Sequence, residues 1–387
     1  MTVTEQLAAK KPLKTWQTGL LAGVLIIGTL VLLKYCQSAG IRHDYNRYLD
    51  QWRQILNGAP PWASDNAYGP IHTLLAYLLP FGKMAPKYFM VGLMLIANGL
   101  MVYELVLQRG LVKIQLVYLL AVPTNILFLG IGIIYGLNDT LVAAFLIFAV
   151  LLMRHKHPFA AGVMIALAGL VKYYPLALLP FIALDERKIN WRTIAGGLIV
   201  FGAGYLAALA VWGKGPLTAI FFNTTRDAKL LSVLASLQSV FGDGGITGFL
   251  IQYNVLFMGL GVALTLLFAW VNRLAWMEGV VAGYLVMLML YKVGNQQFYL
   301  PVLFMVSCLL LLNRKTADRM AVALIPLVLF LSLYQYGYLF ASDQYRSELA
   351  WVRAYGGFIA FAVNLASVTA VLWITHRQKN RLKPVVT

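Results

Sequence analysis

Asp44 opens the stretch His43-Asp44-Tyr45-Asn46-Arg47-Tyr48-Leu49-Asp50-Gln51-Trp52-Arg53-Gln54-Ile55-Leu56-Asn57-Gly58. A carboxylate at a helix start does one of two jobs. It caps the helix, where the dipole favours negative charge, or it takes a proton from a substrate as general base. Composition leaves both open for Asp44. The cations that accompany it are Lys172, in Val171-Lys172-Tyr173-Tyr174-Pro175, Lys292, leading Val293 to Tyr299, and Arg226, beside Asp227 and Lys229. Converging on one face, they would suit a phosphate-bearing ligand, because each donates strongly to anionic oxygen. Snorkelling of long basic side chains is the plainer alternative for Lys292 and Arg226. Lys172 is different, since a chain break beside a charge needs protein around it. Asn138-Asp139 is a further polar pair in an apolar context, and such residues mark functional sites by default. His72, in Tyr68-Gly69-Pro70-Ile71-His72, either contacts a phosphate or is structural.

Other patterns carry no chemistry. Gly130, Gly132 and Gly136, like Gly202 and Gly204, sit in apolar runs without a strand–helix context and read as helix-packing residues. His155-Lys156-His157 lacks a third metal ligand. No Asp-x-Asp pair implies a divalent metal, and no cofactor is expected. Cys36 and Cys308 make no disulfide framework.

The elements that must position these side chains lie in a membrane. The chain has 387 residues, 60% hydrophobic and only 12% charged, whereas a soluble domain carries about 25% charged residues. That excludes a water-soluble enzyme, a disordered chain and a nucleic-acid-binding domain. The net charge of +17 then reflects cytoplasmic loops and anionic lipid headgroups rather than nucleic acid. Apolar stretches recur at 18–35, 88–108, 114–135, 140–153, 159–171, 174–184, 193–212, 249–271, 276–291, 298–312, 320–340 and 351–375. They predict about twelve transmembrane helices in an all-α single domain over 1–387. The pair 159–171 and 174–184, split near Pro175, is expected to be a broken hairpin inside the bundle.

Basic residues place both termini in the cytoplasm. The cytoplasmic loops are very short, whereas two external ones, 36–86 and 213–248, are long. Chemistry is therefore expected at the external face of the plasma (inner) membrane. Within 36–86, Tyr45, Tyr48, Leu49, Trp52, Ile55 and Leu56 follow helical spacing and Asn57-Gly58 is a stop signal. An aromatic-rich amphipathic helix is expected there, lying in the membrane interface.

An acid just after the first span, followed by this helix and the Pro-rich loop to Tyr68-Gly69-Pro70, resembles the membrane-embedded GT-C glycosyltransferases. The chain is most similar to glycosyltransferase family 87, whose members are polyprenyl-phosphate-mannose-dependent. Gly136-Leu137-Asn138-Asp139-Thr140-Leu141 resembles that group's Gly-x-x-(Asp/Glu)-x-Leu segment, and Lys172-Tyr173-Tyr174-Pro175 its Lys-x-x-Pro segment. Lys292-Val293 to Gln297-Phe298 resembles a Lys-Val-x-Thr-x-Gln-Tyr segment, with Asn295-Gln296-Gln297 where family members often place a His. The resemblance implies a GT-C fold and a metal-independent, inverting hexosyl transfer from polyprenyl phosphate to a lipid or glycan acceptor. It implies Asp44 as catalytic base and Lys172, Lys292 and Arg226 on the donor phosphate. His43, Tyr68, His72, Asn138, Asp139, Gln296 and Gln297 would contact substrate. The rival classes are a ligase or polymerase using lipid-linked glycans, and a transporter or flippase. The dominance of the first external loop argues against the former. The single broken hairpin, without a partner in a second half, argues against the latter.

Overall fold

The computed structural model describes residues 15–42, 44–62, 66–109, 128–312, 324–334 and 350–381. In chain order, α1 is Thr15–Ala39, α2 Asp44–Leu56, α3 Pro70–Leu74 and α4 Ala85–Arg109. A π-helical segment, Phe128–Tyr135, leads to α5, Asp139–Arg154, and α6, Pro158–Val171. After a 3₁₀ turn at Tyr174–Leu178 come α7, Leu179–Ala183, α8, Trp191–Trp212, and α9, Gly215–Thr225. Next are α10, Val233–Phe241, α11, Gly245–Gln252, α12, Asn254–Val271, and α13, Trp276–Leu290. Toward the C-terminus lie α14, Leu300–Leu312, and α15, Ala350–Arg381. Strand is confined to two minimal ladders among the described residues, so the protein is all-α in character.

α1, α8 and α12 turn rows of Leu, Ile and Val outward, including Leu20, Ile27, Leu206, Val211, Leu260 and Leu264. Water would not tolerate so much contiguous apolar surface; lipid does. The protein is an integral, multi-pass membrane protein. Among the described residues, five helices are long and apolar enough to cross a bilayer, six if the bent pair Phe128–Tyr135 and Asp139–Arg154 counts as one span. Twelve spans are thus not what the structure displays. The expected span 276–291, here Trp276–Leu290, is too short for an independent crossing, as are Pro158–Val171 and Tyr174–Ala183, the pair expected to form a broken hairpin. They are apolar because they are enclosed by protein: α13 is buried over most of its length. Much of the expected spans 114–135 and 320–340 falls outside the described residues.

The expected break near Pro175 is present, with α6 ending at Val171 and Lys172 extended before the 3₁₀ turn. The segment 213–248, expected as a loop, is mostly helical (α9, α10). It is anchored by a parallel ladder in which Lys229 pairs with Val293 and Leu230 with Gly294. α6 packs closely on α8, where a side chain at Gly162 or Gly196 would run into the facing backbone; small residues let such helices approach.

α2 begins at Asp44 and ends at Leu56, ahead of Gly58 at φ +86°. Its aromatic stripe does not face lipid as expected. Tyr45, Tyr48, Leu49 and Trp52 are buried in the protein core. Polar tips explain the choice, since each finds a protein partner: Tyr45 donates to the Lys83 carbonyl at 2.9 Å, Tyr48 to Asn138 Oδ1 at 3.1 Å, Trp52 to the His72 carbonyl at 2.8 Å.

Candidate active site

Three chain breaks converge on one cavity. The first is the bend between the π-helical segment and α5, 115° at Gly136–Asn138. Gly136 sits at φ +59°, and any side chain there would collide with Lys87. This corner places Asp139 at the first residue of α5, entirely buried. The second is the α6 break, which extends Lys172 across to Asp139: Nζ lies 2.6 Å from Oδ2. Tyr174 donates to the other carboxylate oxygen at 3.2 Å. The Lys172 ammonium is flanked by the rings of Tyr68 and Phe298, 5.4 and 5.0 Å from their centroids. The third is the end of α13. There Asn254 accepts from the Lys292 amide at 3.0 Å and donates to the Leu290 carbonyl, holding open the turn that presents Asn295, Gln296 and Gln297.

The cavity measures about 940 Å³, near the top of the usual range for ligand pockets. Its polar wall carries Asp44, Lys172, Arg226 and Gln297, with Tyr68 beside them. α2 contributes Arg47, Gln51 and Gln54 as well. Their offsets of three, seven and ten from Asp44 put them on one helix face, so their membership was legible, though the sequence reading passed over them. The lining also includes an apolar set, Ile220, Phe222, Val255, Met258, Met287 and Leu288, with the Arg226 guanidinium over the Phe222 ring at 5.3 Å. A second, smaller cleft of about 80 Å³ adjoins the first and shares Asp44, Asn295 and Gln297 with it.

The remaining expected site residues stand elsewhere. Asn138, Asp139 and His72 are buried behind the polar wall and line neither cavity. Asn138 Nδ2 approaches His72 Nδ1 at 3.5 Å, and His72 Nε2 approaches Gln51 Oε1 at 3.4 Å. Burial, reinforced by the Lys172 charge, pushes His72 down to about 3, so it is neutral at ordinary pH and cannot meet a phosphate as a cation. It braces Tyr48 and Tyr68, with ring centroids 4.7 and 4.4 Å away. Burial pushes the Tyr68 hydroxyl up to about 12, leaving it a neutral hydrogen-bonding group. Lys292 is buried next to the cavity rather than lining it. Gln296 lines the small cleft. His43 lies outside the described residues.

Lys87 is a residue the sequence reading missed. Wholly buried near the start of α4, it donates through Nζ to the carbonyls of Gly40, at 2.7 Å, and Ile134. Its backbone amide donates to the Tyr45 hydroxyl at 3.1 Å. One side chain thereby ties the turn carrying Asp44 to the corner carrying Asn138 and Asp139. The available signal was a lysine just inside an apolar helix, easily discounted as snorkelling.

A carboxylate and cations lining one half-apolar cavity can take a proton from one reactant and hold an anionic leaving group on another. Among known families, the sequence profile of glycosyltransferase family 87 matches residues 66–271 of the chain. No curated protein matches it.

Proposed function

The chain belongs to glycosyltransferase family 87, and on that footing we propose that it moves a sugar, mannose, from polyprenyl phosphate to an acceptor hydroxyl. The acceptor is a lipid or glycan of the cell envelope. The reaction takes place at the external face of the plasma (inner) membrane, in a GT-C fold. The observation that carries this reading is one cavity lined by both charged and apolar side chains. Its apolar residues suit a prenyl chain, while Lys172 and Arg226 suit the phosphate.

The chemistry follows from that lining. Asp44 removes the proton from the acceptor hydroxyl as its oxygen attacks the anomeric carbon. The bond from that carbon to the phosphate oxygen breaks, and polyprenyl phosphate departs with the electron pair. Attack opposite the leaving group inverts the anomeric configuration. Lys172 and Arg226 stabilise the charge that develops on the phosphate, which is where fixed electrostatics contribute most to rate. A lipid monophosphate carries less charge than a nucleotide diphosphate, so these side chains meet the demand without a metal ion. Lys292, held beside Asp227 and Arg226, contributes to the field from behind the wall, and Tyr68 and Gln297 orient the sugar.

The test is transfer itself. Membranes containing the protein are incubated with polyprenyl phosphates bearing labelled mannose, glucose, galactose or arabinose. Label should pass from the mannosyl donor into a glycolipid or glycan. Transfer from none of the panel, with transfer from a nucleotide sugar instead, would overturn the donor assignment.

A further inference from the structure

α11 carries its apolar side chains on the outside. Ile246 is 79% exposed and Phe249 54%, while Phe241, at the end of α10 across the 242–244 turn, is 69% exposed. Tyr253, which follows α11, is exposed too. The spacing of Ile246, Phe249 and Tyr253 puts them on one helix face, and Thr247 turns toward the protein. The Phe249 ring lies 4.8 Å from that of Tyr253 and 5.9 Å from that of Phe257 in α12. A segment expected to be an external loop thus displays a continuous apolar face.

This face cannot be buried by a roll of the hairpin, because α10 is fixed to α15. Leu234 and Ser236 are buried. The Gly357 amide donates to Ser236 Oγ at 3.0 Å, and a side chain at Gly357 would strike the Ser232 carbonyl.

Three observations name what covers the face. Asp243 is the one charged residue from 230 to 271, where a soluble segment carries about a quarter charged residues; its carboxylate accepts from Gln238 within the hairpin. The face continues into the lipid-facing row of α12, where Leu256, Leu260, Leu264 and Leu267 are all exposed. Its Phe and Tyr rings are of the kind that settle at a membrane–water boundary.

We propose that α11 and the Phe241 tip form an in-plane anchor in the membrane leaflet adjoining the cavity, with Phe241, Ile246, Phe249 and Tyr253 seated at the boundary between headgroups and acyl chains. The interfacial helix that the sequence pattern suggested at α2 is supplied by α11 instead. Because α11 leads directly into α12, whose Val255 and Met258 line the large cavity, the anchor sets the depth of that cavity in the leaflet. This placement is independent of the sugar donor and of the acceptor.

The full-length protein is reconstituted in vesicles of phosphatidylcholine and phosphatidylglycerol with a nitroxide label at one introduced cysteine, Phe241→Cys, Ile246→Cys or Phe249→Cys. These positions are exposed, so the label leaves the core intact. Native Cys36 and Cys308 are buried, and the parent protein taken through the same labelling gives the background. Collision with oxygen, which concentrates in lipid, is compared with collision with a water-soluble nickel chelate. Leu264→Cys, about three turns along α12 from Tyr253, marks the acyl core, and Lys188→Cys, at an exposed position, marks water. All three labels should fall between these references, about 5–10 Å into the boundary region. Labels as open to the nickel chelate as Lys188→Cys would put the face in water and overturn the proposal. Labels shielded from both reagents would overturn it as well, because protein, such as a second copy of the chain, would then cover the face. A depth equal to that of Leu264→Cys would make the segment re-entrant and overturn the in-plane placement.

Discussion

Replacing Asp139 by Asn isolates one charge in the protein interior. The Asn side chain keeps an oxygen to accept from Tyr174, now 3.2 Å from Oδ1, and keeps the shape at the first residue of α5. What it removes is the counter-charge 2.6 Å from Lys172, whose side chain is only 7% exposed. Two aromatic rings about 5 Å away then remain as the main neighbours of the ammonium, and a desolvated cation–π contact is worth about 2 kcal/mol, less than the lost ion pair. Breaking a buried pair by removing one partner costs about 3–5 kcal/mol, because the other charge is left uncompensated. Asp139→Asn should therefore lose about 3 kcal/mol or more. Adding Lys172→Met removes the stranded charge and should recover most of that loss, since an apolar replacement of a buried pair is often neutral. Equilibrium unfolding in mixed micelles, by titration with a denaturing detergent, reads both variants. A single variant within about 1 kcal/mol of the parent, or a double variant no better than the single, would refute the reasoning.

Two further outcomes follow from buried groups around the cavity. His72 is held neutral to about pH 3, whereas in the unfolded chain it takes a proton near pH 6.5. Its contribution is whole above pH 6.5 and declines by about 1.4 kcal/mol per pH unit as pH falls from there toward 3. His72→Phe should flatten stability against pH between 6 and 4 by that slope, measured by unfolding at each pH; parallel curves would contradict it. Lys87→Met strips the carbonyls of Gly40 and Ile134 of a buried donor and should cost about 1–3 kcal/mol. It should also lower turnover at saturating substrate more than it weakens polyprenyl-phosphate binding, because it holds the turn carrying Asp44 directly and reaches Lys172 only through the corner carrying Asp139. Equal losses in both, by kinetics and by binding, would argue for a general loosening instead.

How much of this was legible in the sequence depended on whether the cause was local. The bounds of α2 were readable, because the spacing of Tyr45, Tyr48, Leu49 and Trp52 and the stop at Asn57-Gly58 act within one helix. The break at Lys172 was readable from Pro175 for the same reason. The surroundings of those elements were not. Periodicity showed that α2 has an aromatic face but not what covers it, and protein partners for two hydroxyls and an indole drew it inward. Apolar runs such as α13 looked like spans, because burial in protein and burial in lipid select the same residues. The pairing of Asp139 with Lys172 joins residues 33 apart and depends on two chain breaks meeting, which no local pattern encodes. Asp44, Lys172, Arg226, Tyr68 and Gln297 were picked out in advance and share one cavity. The placement of His72 and Asn138 behind its wall emerged only with the fold.

Turnover by Asp44→Asn tests the central claim most directly. Asn keeps the size and much of the hydrogen bonding of Asp but cannot accept the acceptor's proton. Loss of a general base costs about 100- to 10,000-fold in rate, whereas losing a helix cap costs about 1 kcal/mol of stability. Sugar transfer from labelled polyprenyl phosphate should fall at least about 100-fold, with the melting temperature nearly unchanged and Asp50→Asn, on the same helix, still active. Transfer by the Asp44 variant close to that of the parent would contradict the assignment of Asp44 as the base.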